Sequence, residues 1–373
     1  MSRKQSTRGY YRTASLLVVV PLALAISPQL ASATTSTSTA NPSGDAGAEQ
    51  SAVSYFPLPP ANFNPLTASA IDLAEYGFPA RPTDPSQLAT WEHAMSHFKQ
   101  MLRSNYGHSQ FKTHPAIGHK TASTQTSNGS ISSYQNGTWG GYLDYNTTSY
   151  KFDAAQGEFV TKPIAATSQS YGSHYSAWVG IGGFSYQNGH QSPYVLQAGV
   201  AVQQSSTSTT DSFTPFWEIG GYNYQQPITN LAVHSNDTMY VDITYNASAY
   251  PQSGYVPGVF SWFVEDESTG YSVSGSYQYS AQPYYDGSEA EAITEANQVG
   301  GSIDCGDFET LPWSGTYVNV DNSSNTGYAL GDTSNPFSID YLYAYNQNDY
   351  HYIIQPGGFT SSSSFPTTWY NYN

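Results

Sequence analysis

The sequence predicts an all-β sandwich or barrel over residues 131–373, preceded by a partly helical segment, and three observations carry that reading. First, short runs alternate side-chain character at period two, as in Tyr194-Val-Leu-Gln-Ala-Gly-Val-Ala-Val202, Met239-Tyr-Val-Asp-Ile-Thr-Tyr245, Val259-Phe-Ser-Trp-Phe-Val264 and Thr316-Tyr-Val-Asn-Val320. Second, clusters of Gly, Asn, Ser and Pro punctuate these runs roughly every ten residues, the spacing of a sandwich or barrel. Third, the helical period vanishes from Trp139 onward, and β-branched and aromatic residues take over, with 33 Tyr, 16 Phe and 7 Trp in the whole chain. No internal repeat is evident.

The charge pattern narrows the setting. The 373 residues include 11 Lys+Arg and 27 Asp+Glu, a formal net charge of −16, with only 10% of residues charged. Such a chain has little with which to neutralise phosphates, which argues against a nucleic-acid or anionic-membrane partner. The split is uneven. Residues 1–130 hold nine basic and six acidic side chains, whereas residues 131–373 hold only Lys151 and Lys162 against 21 acids. A domain that avoids cations approaches neutrality where carboxylates are protonated, below about pH 4. The single cysteine, Cys305, excludes an internal disulfide framework and a cysteine-based zinc site.

Read in order, the chain opens with an address. Arg3, Lys4, Arg8 and Arg12 precede the apolar run Leu16 to Ile26 and the small-x-small site Ala31-Ser32-Ala33. That pattern predicts a signal peptide over residues 1–33 and a secreted, extracellular protein. Residues 34–60 are rich in Ser, Thr, Ala and Pro and read as a linker. A helix is predicted over 85–105. Asp84-Pro85 supplies the cap and first-turn proline, Leu88, Trp91, Met95, Phe98 and Leu102 recur at three- and four-residue steps, and Gly107 is the stop. Residues 81–120 carry five Lys/Arg and five histidines (His93, His97, His108, His114, His119) against Asp84 and Glu92. A linker and basic amphipathic helix ahead of an acidic domain resemble a propeptide over residues 34–130.

Several chemistries can be set aside. The sequence has no G-x-S-x-G elbow, no H-E-x-x-H and no Gly-rich phosphate loop. His174, His190, His234 and His351 lack ligand spacing and read as surface or turn residues, so no metal and no cofactor is expected. Cys305 reads as a small buried residue. The carboxylates say more. Glu218 sits in the apolar string Pro215-Phe-Trp-Glu-Ile219, and Glu295 shares one strand face with Ile293 and Glu291. A carboxylate among apolar neighbours is often a catalytic group with a tuned pKa. Gln197 lies in mid-strand, where pattern alone reads as a solvent-facing residue. Two other functions remain open on this reading: a Tyr- and Trp-rich glycan-binding or surface module, and a glycosidase that uses Glu218 and Glu295 as its two carboxylates.

These residues also carry a family likeness. Thr138-Trp-Gly-Gly-Tyr-Leu143, Ser176-Ala-Trp-Val-Gly-Ile-Gly-Gly183, Val195-Leu-Gln-Ala-Gly-Val200, Phe216-Trp-Glu218, Ser268-Thr-Gly270 and Ala290-Glu-Ala-Ile-Thr-Glu295 occur in the order seen in the eqolisins. The chain resembles those glutamic acid endopeptidases over residues 137–370, including the tail Ser362-Ser-Ser-Ser-Phe-Pro-Thr-Thr-Trp369. The resemblance implies a sandwich of two large, curved antiparallel sheets. It implies a catalytic pair of Gln197 and Glu295, with Trp139 and Trp178 lining the cleft and Glu218 supporting the pair. Val264-Glu-Asp266 imitates the family's catalytic Glu motif, but Glu265 precedes the Ser268-Thr-Gly270 turn, where family order places a non-catalytic strand. Two departures stand out: Gly182 replaces a common Asp, and Ile219-Gly220 replaces an aromatic pair. Implied partners are protein or peptide substrates and the chain's own propeptide, in a monomer with no nucleic-acid or membrane partner.

The implied chemistry suits acid. Amide hydrolysis needs a base for water, a stabiliser for the oxyanion and an acid for the leaving amine. A carboxylate can remain ionised near pH 3–4, and a Gln amide donates hydrogen bonds at any acid pH because it does not titrate.

Overall fold

The structure, a computed structural model, describes residues 53–106, 131–145, 151–165, 173–183, 186–187, 190–191, 194–205, 207–220, 225–246, 258–278, 285, 287–299, 302–320, 327–334, 337–346 and 351–370. The chain divides into two units, residues 1–41 and 42–373, and every described residue belongs to the second. The predicted signal peptide, Gly107 and residues 34–52 of the predicted linker lie outside the described residues.

The leading segment contains β1 Val53–Ser54, α1 Ala70–Glu75, α2 Pro85–His97 and β2 Gln100–Leu102. Then come β3 Ile131–Asn136, β4 Trp139–Tyr145, β5 Phe152–Val160, β6 His174–Ile181, β7 Tyr186–Gln187, β8 His190–Gln191, β9 Val195–Gln204, β10 Asp211–Gly220 and β11 Gln226–Pro227. The second half holds β12 Thr238–Asn246, β13 Val259–Asp266, β14 Tyr271–Gln278, β15 Glu289–Val299, β16 Ser302–Asp304 and β17 Thr310–Val320. It closes with β18 Gly327–Ala329, β19 Ser338–Asn346, β20 His351–Pro356 and β21 Phe365–Trp369.

Strand pairing builds two layers. The first runs β3–β19–β4–β15–β6–β9–β10–β11. The second runs β20–β21–β17–β5–β12–β13–β14, with β1 and β2 added side by side along the free edge of β14. Pairing of β19 with β20 joins the layers into one hydrogen-bonded network. Except for β3 on β19 and β2 on β14, these pairs are antiparallel. The period-two pattern explains the core. Val179, Leu196, Ala198, Trp217 and Ala292 point inward from the first layer and meet Phe159, Val241, Trp262, Val264 and Trp313 from the second. Both layers also bury their outer faces. The first holds Trp139, Leu143, Trp178, Val195, Phe216 and Ile293 in a separate cluster. On the second, Tyr240 and Phe263 are covered by Leu73, Phe78, Trp91, Ala94 and Met95 of the leading segment.

The leading segment departs from its sequence reading in three places. Asp84 caps α2 as predicted, its Oδ1 accepting from Ser86 N at 2.9 Å and Gln87 N at 3.0 Å. The helix ends at His97 rather than near 105, because Phe98 turns extended at ψ 125°. Gly270 O then accepts Lys99 N at 2.7 Å and draws the chain along β14, where Met101 pairs with Ser272. Sheet-edge pairing thus overrides the helical spacing of Phe98 and Leu102. Within the predicted linker, Val53 and Ser54 pair with Tyr277 and Ser276. The pattern also hid α1, which the Ser69–Asp72 capping box starts. In the sandwich, His174 is buried beside Asp304, with Nδ1 and Oδ2 3.5 Å apart, rather than on the surface. His234 is exposed in a turn as expected, whereas Cys305 is only half-buried. The side chains of His190 and His351 lie outside the described residues.

Candidate active site

The outer face of the first layer carries three parallel rows of side chains. In the first row, Glu295 pairs with Trp139 on β4 and with Ser176 on β6. In the second, Gly141, Ile293, Trp178, Gly199 and Phe216 run across β4, β15, β6, β9 and β10. In the third, Leu143, Glu291, Gly180, Gln197 and Glu218 cross the same five strands. Because side chains alternate along a strand, residues two apart in these rows share one face. The layer therefore gathers five predicted site residues, Trp139, Trp178, Gln197, Glu218 and Glu295, from five strands.

Hydrogen bonds link them. Gln197 Nε2 donates to Glu218 Oε2 at 3.3 Å. Trp178 Nε1 donates to Glu295 Oε2 at 2.9 Å, and the Trp178 ring meets Trp139 edge-on with centroids 4.9 Å apart. Gln197 and Glu218 are fully buried and Glu295 is 2% exposed. The solvent-facing reading of Gln197 is thereby corrected: alternation placed it opposite the core, but that face is itself covered.

Burial sets the electrostatics. Desolvation pushes the Glu295 carboxyl well above the usual carboxylate range, and the charge of Glu218 pushes it further up. Donors on Trp178, Trp139 and Thr138 act in the opposite direction. Thr138 was missed as a site residue, since a single threonine ahead of a tryptophan gives no sequence signal. The role of Gly180 was also missed. A Cβ there would lie 2.5 Å from Glu291 Oε1 and 2.6 Å from Trp178 Cζ3, so this glycine makes room for both side chains.

Glu265 belongs elsewhere. It lies on the outer face of the second layer, in a row with Glu158, Tyr240, Ser272 and Met101. No strand pairing brings it beside Gln197. The departure at Gly182 has a conformational basis, because its φ of +82° is a left-handed backbone that disfavours an Asp side chain. Ile219 points into the core between the layers, on the opposite face from Glu218.

One buried amide, two buried carboxyls and two indoles thus share one outer face of a two-layer β fold. Residues 137–337 match the model of the Peptidase A4 family, and the chain belongs to that family, the eqolisins. It is thus a glutamic-type peptide hydrolase, an acid endopeptidase. Solved structures similar to it include scytalido-glutamic peptidase with a transition-state analog inhibitor, at 15% identity and a TM-score of 0.47, covering 63% of this chain and 98% of that one. SCP-B, an eqolisin in complex with the tripeptide Ala-Ile-His, is 17% identical, with a TM-score of 0.43 and coverage of 63% and 98%. Aspergilloglutamic peptidase from Aspergillus niger is 20% identical, with a TM-score of 0.38 and coverage of 53% and 99%. No curated relative matches the sequence.

Proposed function

We propose that this chain is a secreted acid endopeptidase in which Glu295 is the general base and Gln197 stabilises the tetrahedral intermediate. The carrying observation is that Glu218 hydrogen-bonds Gln197 while its charge acts on Glu295, which couples the two groups through one carboxylate. In the buried arrangement Glu295 holds its proton. Admitting water and substrate removes part of the desolvation and lets it ionise within the acid range. Glu295 then takes a proton from water as the water oxygen bonds to the peptide carbonyl carbon. A Gln amide nitrogen carries two N–H groups; one is held by Glu218 and the other can face the developing oxyanion. The new Glu295 O–H protonates the amine as the C–N bond breaks, which returns the carboxylate.

Peptide substrates are supported by the peptide-based transition-state analog bound to scytalido-glutamic peptidase, and secretion by the signal pattern of residues 1–33. The test is peptide hydrolysis at acid pH by Gln197→Ala, Glu295→Gln and Glu265→Gln, with circular dichroism to verify folding. The first two are expected to lose about 10³-fold or more in kcat/KM, and Glu265→Gln to retain most activity. Near wild-type turnover by Glu295→Gln would sink the assignment.

A further inference from the structure

We propose that His93, His97, Glu267 and Glu158 form a binding site for one divalent ion of zinc's class, which pins α2 to the second layer of the sandwich. The site is separate from the proposed catalytic one, since Gln197, Glu218 and Glu295 belong to the first layer.

The ligand set comes from three parts of the chain. His93 and His97 stand one turn apart on α2, their rings edge-on with centroids 4.8 Å apart. Beneath them, Glu158 projects from β5 and Glu267 from the end of β13. His93 Nδ1 is 3.4 Å from Glu158 Oε1 and 3.7 Å from Glu267 Oε1. One ligand atom from each of His93, His97 and Glu267 lies within 4.8 Å of the other two. Ligands about 2.1 Å from a tetrahedral ion sit roughly 3.4 Å apart, so the two His93–carboxylate separations are close to the edges of such a site.

Two further observations point to a ligand. The carboxylates are 3% and 11% exposed at their side chains, and neither Glu267 Oε1 nor Glu158 Oε1 accepts a hydrogen bond. Among the described residues no lysine or arginine pairs with them, and His93 is their sole basic neighbour within 4 Å. Two buried carboxyl oxygens without hydrogen-bond partners, beside two imidazoles, make a donor set for a cation that takes nitrogen and oxygen ligands. In addition, His97 Nδ1 is 2.9 Å from the carbonyl oxygen of His93. An Nδ1–H donated there fixes the ring and leaves Nε2 as the lone-pair donor, the usual support for a metal-binding histidine. The sequence carried only the i,i+4 histidine spacing on a helix; the glutamates come from 65 and 174 residues further along, counted from His93.

The test uses the full chain, its intact mass verified, at neutral pH. Zinc alone is titrated by calorimetry, and Co²⁺ is added separately as a spectroscopic probe of tetrahedral coordination. One ion per chain is expected. His93→Ala, His97→Ala and Glu267→Gln should each weaken zinc at least about tenfold, and His93→Ala/His97→Ala should abolish binding. His93 and His97 are exposed, so their variants remain folded. His234→Ala is the control, because among the described residues the ion-pair partner of His234 is Asp237, at 3.4 Å, and it should leave affinity unchanged. Absence of saturable zinc binding, or equal affinity in the double variant, would overturn the site. Loss of peptide hydrolysis plays no part in this readout, so the catalytic assignment and the metal site fail separately.

Discussion

Glu218 stands directly opposite Gln197 on neighbouring strands and accepts its Nε2 at 3.3 Å, while its charge raises the carboxyl of Glu295. One carboxylate thus orients the amide and tunes the acid. Glu218→Gln keeps an oxygen that can accept the Gln197 hydrogen bond but removes the charge. The Glu295 carboxyl then falls in pKa, and the low-pH limb of the kcat/KM profile is expected to move to lower pH. An unmoved limb would separate Glu218 from the proposed catalytic pair.

The opposite shift is expected from Trp178. Its indole N–H donates to Glu295 Oε2 at 2.9 Å and favours the ionised form. Trp178→Phe keeps a large ring but removes that donor, so the low-pH limb should move up. A pair of variants that shift one limb in opposite directions is hard to explain by damaged packing, which would lower the profile without a signed displacement.

Gly180 tests whether the face is built to tolerance. An added methyl would meet Glu291 Oε1 at 2.5 Å, the Trp178 ring at 2.6 Å and Val195 Cγ1 at 3.0 Å. Gly180→Ala should cost about 1–3 kcal/mol of stability by overpacking. It should also lower kcat/KM by about tenfold or more, since a displacement near 1 Å is enough to disturb a reacting geometry. Thermal unfolding and kinetics on the same preparation measure both.

Much of this was legible in the sequence because strand alternation is a local property. Val195–Gln204 and Glu289–Val299 declare their two faces by period alone, and the order of the short motifs gave the family. Pattern could not say that both outer faces are covered. Gln197 looked solvent-facing because a period-two reading knows one core, whereas this sandwich buries residues on both sides of each layer. Motif order alone separated Glu265 from Glu295; the structure adds that their strands pair into different layers, a non-local fact. The end of α2 failed for a similar reason, since Leu102 satisfies a helical spacing in the sequence and yet pairs with Val273 at a sheet edge.

Asp242 links the fold to acid. Burial lifts its carboxyl from the ordinary 3.8 to about 8. A group raised in the folded state contributes its full stability below its unfolded pKa and loses it as pH rises toward the folded one. The window is therefore about pH 4 to 8. Asp242→Asn cannot ionise, so it should match wild type at pH 3 and be more stable at pH 7 by roughly 1–3 kcal/mol, given about 1.4 kcal/mol per unit and a side chain that retains some water contact. Urea unfolding at the two pH values measures this. A wild type more stable than the variant at pH 7 would contradict the assigned direction.

The leading segment carries five Lys/Arg and five histidines between 81 and 120, and the sandwich is strongly acidic, so charge attraction is one candidate for what holds the two together. Its described part, residues 53–106, instead docks mainly on the second layer, and it docks by packing. Trp91 is fully buried, its Nε1 donating to Pro79 O at 3.2 Å and the Arg81 guanidinium lying 5.1 Å from its ring centre. Ala94, Met95, Leu73 and Phe78 surround it against Tyr240 and Phe263, while β1 and β2 extend the sheet through backbone bonds. Among the described residues, His93 makes the only ion pairs from this segment to the sandwich. Apolar burial and strand pairing are insensitive to ionic strength, whereas exposed charges are screened within about 10 Å at ordinary salt. Trp91→Ala should therefore cost about 3–5 kcal/mol in the unfolding of the full chain. Raising salt from about 0.1 to 1 M should leave the wild-type unfolding free energy nearly unchanged, because so little of the docking is carried by charge. A marked salt-induced loss together with a silent Trp91→Ala would instead make charge the dominant attachment.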